Sequence, residues 1–143
     1  MQKKIATGKI YLGGSFNREI DHERVERAKE ILAKNPTIAK VHFPFDYDFV
    51  DPEEKNPEIG GQRSMTWRVG TFQNDLNGIN SATCGVFLYD MDILDDGCAF
   101  EIGFMRANHE FNFYLIQKSI PIGMLLTFSN KCHNLSQEYK ASN

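Results

Sequence analysis

Two carboxylates stand out as groups that could do chemistry. Glu101 is the lone charge in the run Ala99, Phe100, Ile102, Phe104 and Met105, placed near the start of an apolar helix. Free N–H groups and the dipole at a helix start favour an ionised acid there, while apolar walls disfavour it, so the expected group is an anion with little water around it. That environment suits a carboxylate nucleophile. A purely architectural reading has Glu101 complementing the dipole or capping its own helix. Asp75 falls three residues after Phe72 and four before Ile79, which sets it along the edge of an apolar helical stripe. As a second carboxylate it could exchange a proton with a leaving group, the division of labour used in cleaving glycosidic bonds. The architectural alternative is a surface acid paired with Arg68 or bonded to backbone beyond Gly78.

Other candidates surround these two. Asp95 and Asp96 stand in the turn before the Glu101 helix, where acids commonly cap, and with Asp90 and Asp92 they offer either a hard-cation site or partners for sugar hydroxyls. Tyr11 closes the first strand, from which its hydroxyl could orient a carboxylate, although a strand tyrosine also serves as packing. Gly13, Phe16, Phe45 and Asp48 lie on segments leaving the first two strands and are candidates for substrate contact. Trp67 reads as core or interface. None of His22, His42, His109 and His133 is spaced with Cys or Ser as a catalytic triad requires.

The elements that must carry these groups alternate. Lys9 to Gly14 predicts a strand ending in paired glycines. Asp21 to Asn35 predicts a helix on the spacing of Val25, Ala28, Ile31 and Leu32, with Asp21 as cap and Asn35-Pro36 as stop. Lys40 to Phe45 reads as a second strand, and the acidic segment Asp46 to Gln62 as a long surface loop. Met65, Val69, Phe72, Leu76 and Ile79 form the stripe of a helix over Arg63 to Ile79, followed by a fully covered strand at Thr83 to Tyr89. After the acidic turn Asp90 to Gly97, the residues Cys98 to Ala107 are apolar nearly all round and predict a buried helix. Phe111 to Ile116 and Ile122 to Phe128 supply two more strands. This alternation implies a single α/β domain over 1–128, with a mainly parallel sheet between two helical layers, and a polar tail over 129–143. In such sheets the ligand crevice lies beyond the carboxyl ends of the strands, where Gly13 to Phe16, Asp46 to Asp51 and Asp90 to Gly97 emerge.

Composition narrows the partners. With 143 residues, 16 Lys and Arg against 19 Asp and Glu, and a net charge of −3, the chain has no basic field for nucleic acid. Three cysteines without metal-ligand spacing argue against a disulfide frame or zinc site and for a cytoplasmic setting. No run approaches the ~20 apolar residues of a membrane helix, and the first residues lack the apolar core of an export signal. GGSF matches neither glycine-rich phosphate-binding pattern, which disfavours nucleotide phosphates.

Read in order, KIYLGGSF, then NPEIGGQRSM-x-WR running into QNDLNGI, then ATCGVFLYDMDILDDGCAFEIGFMRA resemble the nucleoside 2-deoxyribosyltransferases, most closely the purine-preferring class, over about residues 9–107. The resemblance implies a flavodoxin-like fold, glycosyl transfer without a cofactor, and a homo-oligomer, a hexamer built as a trimer of dimers, whose neighbouring subunits complete each site. Its substrates are deoxynucleosides and free purine bases. By position, Glu101 matches the family nucleophile, Asp75 the acid that handles the base, Asp95 the aspartate that holds the deoxyribose hydroxyl, and Tyr11 the tyrosine that positions the nucleophile. The implied reaction is double displacement through a deoxyribosyl ester. After Ala107 the pattern diverges and the chain ends at Asn143. That divergence is expected to weaken contacts that a neighbour gives to the sugar 5-hydroxyl and the base, and with them activity. Two alternatives accompany this reading: hydrolysis of the same bond, or an inactive module that binds a nucleoside or holds magnesium on Asp90, Asp92, Asp95 and Asp96 with Lys118 nearby, as in receiver domains.

Overall fold

The computed structural model describes residues 6–47, 49–50, 64–90 and 92–108, with the backbone of 113–115 and 126–127. Its elements are strand β1 (Gly8–Gly14), helix α1 (Glu19–Ala33), strand β2 (Ile38–His42), a 3-10 turn (Pro44–Tyr47), helix α2 (Met65–Ser81), strand β3 (Cys84–Leu88), helix α3 (Asp96–Asn108), strand β4 (Phe113–Leu115) and strand β5 (Leu126–Thr127). The sheet runs β2-β1-β3-β4-β5. β1 pairs in parallel with β2 and β3, β3 in parallel with β4, and β4 antiparallel with β5. This is the flavodoxin-like strand order, with its reversal between β1 and β3, and the mainly parallel sheet is the expected one.

The alternation of side chains along β1 and β3 divides the core into two layers. Ile10, Leu12, Cys84, Val86 and Leu88 face α1 and meet Val25, Ala28 and Leu32. Tyr11 and Phe87 face the other way and pack with Ile79 of α2 and with Cys98 and Met105 of α3. Successive strand residues point to opposite faces, so one strand serves both layers, and Tyr11 is thereby committed to the α2 and α3 side. β3 is buried along its whole length, as its unbroken apolar run requires.

Several boundaries differ from expectation, each for a local reason. α1 begins two residues early because Arg18, not Asp21, is the N-cap residue; Asp21 sits one turn in and its Oδ2 accepts from the Arg18 amide at 3.1 Å. The helix ends at Ala33 with Lys34 as its C-cap, two residues short of the expected Asn35, whose Oδ1 instead accepts from the Thr37 amide and hydroxyl at 2.9 and 2.7 Å. β2 ends at His42 because Pro44 has no N–H for the ladder, and the chain turns into the 3-10 segment, which takes Phe45 out of the strand. α2 is capped by Ser64, whose Oγ accepts from the Trp67 amide at 2.9 Å.

Two helices are less buried than their composition implied. On α3 only Cys98 and Met105 are buried, and Phe100 is 46% exposed. On α2 the stripe splits: Ile79 is buried, while Met65, Val69 and Phe72 are exposed. No described helix is long and apolar enough to cross a membrane. Cys132, Lys118 and the tail 129–143 lie outside the described residues.

Candidate active site

Beyond the carboxyl ends of β1 and β2, a cleft of about 250 Å³ opens. Its size is close to the lower end of the ~300–1,000 Å³ usual for small-molecule sites. Four segments wall it. The end of β1 and the turn after it give Gly14, Ser15, Phe16 and Asn17, and the 3-10 turn gives Pro44 and Phe45. α2 gives Asp75, and α3 with the residue before it gives Asp95, Gly97, Cys98 and Glu101. Glu101, Asp75, Asp95, Phe16 and Phe45, five of the residues singled out in the sequence, thus meet at one cleft.

Glu101 lies in the second turn of α3, because the helix starts at Asp96 and not at Cys98. The dipole acts mainly within the first turn, so it does little for Glu101, and burial dominates. Desolvation pushes its carboxyl up to about 7, with the negative fields of Asp75 and Asp95 adding to the rise and a hydrogen bond from Tyr11 opposing it. At neutral pH the group is poised between acid and anion, the condition expected of a reacting carboxylate.

Tyr11 is fully buried behind Glu101 and does not line the cleft. Burial first, and the facing carboxylates Glu101 and Asp75 after it, drive its hydroxyl far above the usual phenol range. It therefore stays protonated and can only donate towards Glu101. The contact falls short of good hydrogen-bond geometry, and the hydroxyl has no hydrogen-bond partner among the described residues, yet it is close enough to lower the Glu101 pKa. Such contacts are often loose without substrate and tighten with it.

Gly13 is likewise behind the site, not on its surface. A Cβ there would lie 2.6 Å from Phe87 Cδ1 and 3.0 Å from Glu101 Oε2, so the missing side chain is what lets the carboxylate and the Phe87 ring seat against β1. Asp95 has two duties. Its Oδ1 accepts from the Cys98 amide at 2.9 Å, capping α3, and its side chain also borders the cleft. Asp48 lies outside the described residues.

The four acids of the magnesium alternative do not gather. Asp90 is buried and its Oδ2 lies 3.0 Å from the Arg18 guanidinium and 4.0 Å from Arg24. Its other oxygen accepts from the Asp92 amide at 3.1 Å. Among the described residues no group of three His, Cys, Asp or Glu side chains is placed to hold a metal. Arg18 also pairs with buried Asp21, so one guanidinium ties the turn after β1 to the segment after β3 and fixes two walls of the cleft relative to each other.

Cys98, Asn17, Ser15 and Pro44 border the cleft without having been singled out. Cys98 is buried, and its thiol is pushed up to about 12 by burial and by the nearby Glu101 and Asp95 carboxylates, which makes it an apolar wall and not a nucleophile. The available signal was its position three residues before Glu101, nearly one helical turn.

Comparison with known proteins agrees with this architecture. A profile of the nucleoside 2-deoxyribosyltransferases matches residues 10–136, taking in the segment after Ala107. A nucleoside deoxyribosyltransferase of Limosilactobacillus fermentum is 39% identical over 106 residues, covering 74% of this chain and 63% of the relative. One from Lactobacillus leichmannii is 28% identical over 107 residues, covering 71% and 66%. The matched region thus spans less than two thirds of either relative. Among solved structures, a 2-deoxyribosyltransferase of Bacillus psychrosaccharolyticus superposes with a TM-score of 0.60 at 24% identity, over 80% of this chain and 77% of that one. A conserved protein from Enterococcus faecalis V583 follows at a TM-score of 0.54, 20% identity and coverages of 71% and 58%. These last two share the fold. With the profile match running through most of its length, the chain belongs to the nucleoside 2-deoxyribosyltransferase family.

Proposed function

We propose that the protein is a purine 2-deoxyribosyltransferase of the cytoplasm that moves deoxyribose between bases by double displacement. The observation that carries this reading is the desolvated Glu101 carboxyl, facing a cleft it shares with Asp75 and backed by Tyr11. Ionised Glu101 attacks the anomeric carbon; a carboxylate oxygen–carbon bond forms as the bond from that carbon to the base nitrogen breaks. Asp75, protonated, gives its proton to the departing base. An incoming base then attacks the same carbon, its proton passes to Asp75, and Glu101 leaves as the carboxylate. Two inversions give overall retention, the outcome of paired carboxylates flanking a glycosidic bond. Without a 2-hydroxyl the sugar reaches an oxocarbenium-like state easily, so a carboxylate in a dry cleft supplies the main stabilisation. Tyr11 orients Glu101, Asp95 holds a deoxyribose hydroxyl with the oxygen not used as cap, and Phe16 and Phe45 flank the base, with Gly13 making room for the nucleophile and Asp48 serving as a further substrate contact. The purine preference rests on the likeness of the middle segments, NPEIGGQRSM-x-WR running into QNDLNGI, to the purine-preferring class.

The exposed apolar faces of α2 and α3 support assembly as a homo-oligomer, a hexamer in this reading, with neighbours closing each cleft. Incubating the protein with deoxyinosine and adenine tests the proposal: deoxyadenosine forms with wild type and falls by at least about a thousand-fold in Glu101→Ala, the scale of losing a covalent nucleophile. Full transfer by Glu101→Ala contradicts it, and free deoxyribose released without an acceptor assigns hydrolysis instead.

A further inference from the structure

His42 does not border the cleft, yet it touches every element that supplies a reacting group except α3. Its backbone is in register with Tyr11 across the β1–β2 ladder, and its ring stacks on the Tyr11 ring at 5.7 Å between centroids with 18° between planes. The Tyr47 ring also stacks on it, at 4.3 Å and 10°. The ring's edge rests on α2: a Cβ on Gly78 would stand 2.4 Å from Nε2, so only glycine admits the imidazole there. Gly78 follows Asp75 by three residues, close to one turn of the same helix. Tyr47 belongs to the 3-10 turn whose Pro44 and Phe45 wall the cleft.

Hydrogen bonds do not explain the placement, because buried Nε2 has no partner among the described residues. An unmet buried nitrogen costs free energy, and its retention calls for a reason. Burial and the Lys40 charge keep the ring neutral against the weaker opposing pull of Asp46; the facing groups of α2, Asn74, Asn77 and Ser81, carry no charge.

We infer that His42 is a positioning residue: wedged between Tyr11, Tyr47 and Gly78, it sets where the Tyr11 hydroxyl and the Asp75 turn stand relative to Glu101. It exchanges no atom with substrate. The inference rests on the transferase reading, and its test separates the two. His42→Ala and His42→Phe are compared with wild type by kcat and KM for base exchange, by thermal unfolding, and by infrared titration of the Glu101 carboxyl with Glu101→Gln as blank. His42→Ala should lower kcat about ten- to a hundred-fold, the effect of a small misplacement, with KM nearly unchanged. It should also move the Glu101 titration to higher pH, because the Tyr11 hydroxyl no longer bears on it. His42→Phe, which keeps the stack, should return both towards wild type. Gly78→Ala, which pushes the ring from the other side, should repeat the alanine signature and stands in for it if His42→Ala fails to fold. An unchanged titration and kcat in His42→Ala and Gly78→Ala overturn the inference, as does a His42→Phe protein as impaired as His42→Ala. If wild type shows no transfer, the transferase reading fails, while the titration, which needs no turnover, still decides whether His42 positions Tyr11.

Discussion

In the proposed reaction the Glu101 carboxyl trades stability for reactivity. Its pKa in the fold, about 7, lies above the ordinary value of 4.5, so folding favours the protonated form. Below the ordinary value both folded and unfolded chains carry the proton and nothing is lost. Between 4.5 and about 7 the unfolded chain gives up the proton that the fold retains, so stability falls over that window, and above it the folded protein holds a desolvated anion. Glu101→Gln should therefore be more stable than wild type at pH 8, by about 2–3 kcal/mol, and nearly equal to it near pH 4.5, measured by urea unfolding. A difference independent of pH would contradict this. The same titration gives the activity a rising limb near pH 7, since only the anion attacks. Glu101 was legible in the sequence as a lone charge in an apolar helix. The balance of forces on it was not, because the Asp95 cap starts α3 earlier than the apolar run does and moves Glu101 beyond the reach of the dipole. His42 was not legible at all: its partners Tyr11, Tyr47 and Gly78 are scattered along the sequence and meet only through the sheet.

At the scale of elements, the order of strands and helices followed from period and punctuation. Alternation in β1 assigned Tyr11 and Leu12 to opposite layers, and Pro44 marked where β2 stops. What local pattern does not carry is the tie between segments distant in sequence. Arg18 reads as an ordinary charged residue before a helix, yet it bridges buried Asp21 and Asp90 and so links the turn after β1 with the segment leading to α3. The guanidinium holds the Asp21 carboxyl below the usual range, so this contribution is present at neutral pH and lost as pH falls through that lowered value. Arg18→Ala leaves two buried carboxylates without their main partner. It should lower the urea midpoint at pH 7 and lose part of that effect as pH falls through the lowered Asp21 value. It should also weaken substrate binding, because two cleft walls lose their common anchor; a variant with unaltered midpoint and KM would show that the clamp does neither.

For the whole molecule, the apolar periodicity of α2 and the apolar character of α3 identified the right faces and the wrong cover. Met65 at 71% exposed, Val69 at 59% and Phe72 at 49% lie uncovered beside Phe100 at 46%, with the rings of Phe72 and Phe100 5.4 Å apart. Sequence reports that a face is apolar, and only the fold reports whether its own chain covers it. If copies of this chain cover it, Phe72→Asp should shift the sedimentation mass from a multiple of 16.4 kDa to the single chain and reduce transfer with it. A monomeric wild type would contradict the assembly. The central claim concerns the bond to Glu101, and it is read most directly from protein quenched during turnover of deoxyinosine. Peptide mass analysis should find one deoxyribosyl unit esterified to the Glu101 peptide, absent from Glu101→Ala and lost when adenine is added before quenching. Transfer that proceeds with no adduct, or with the sugar on another residue, would contradict the account.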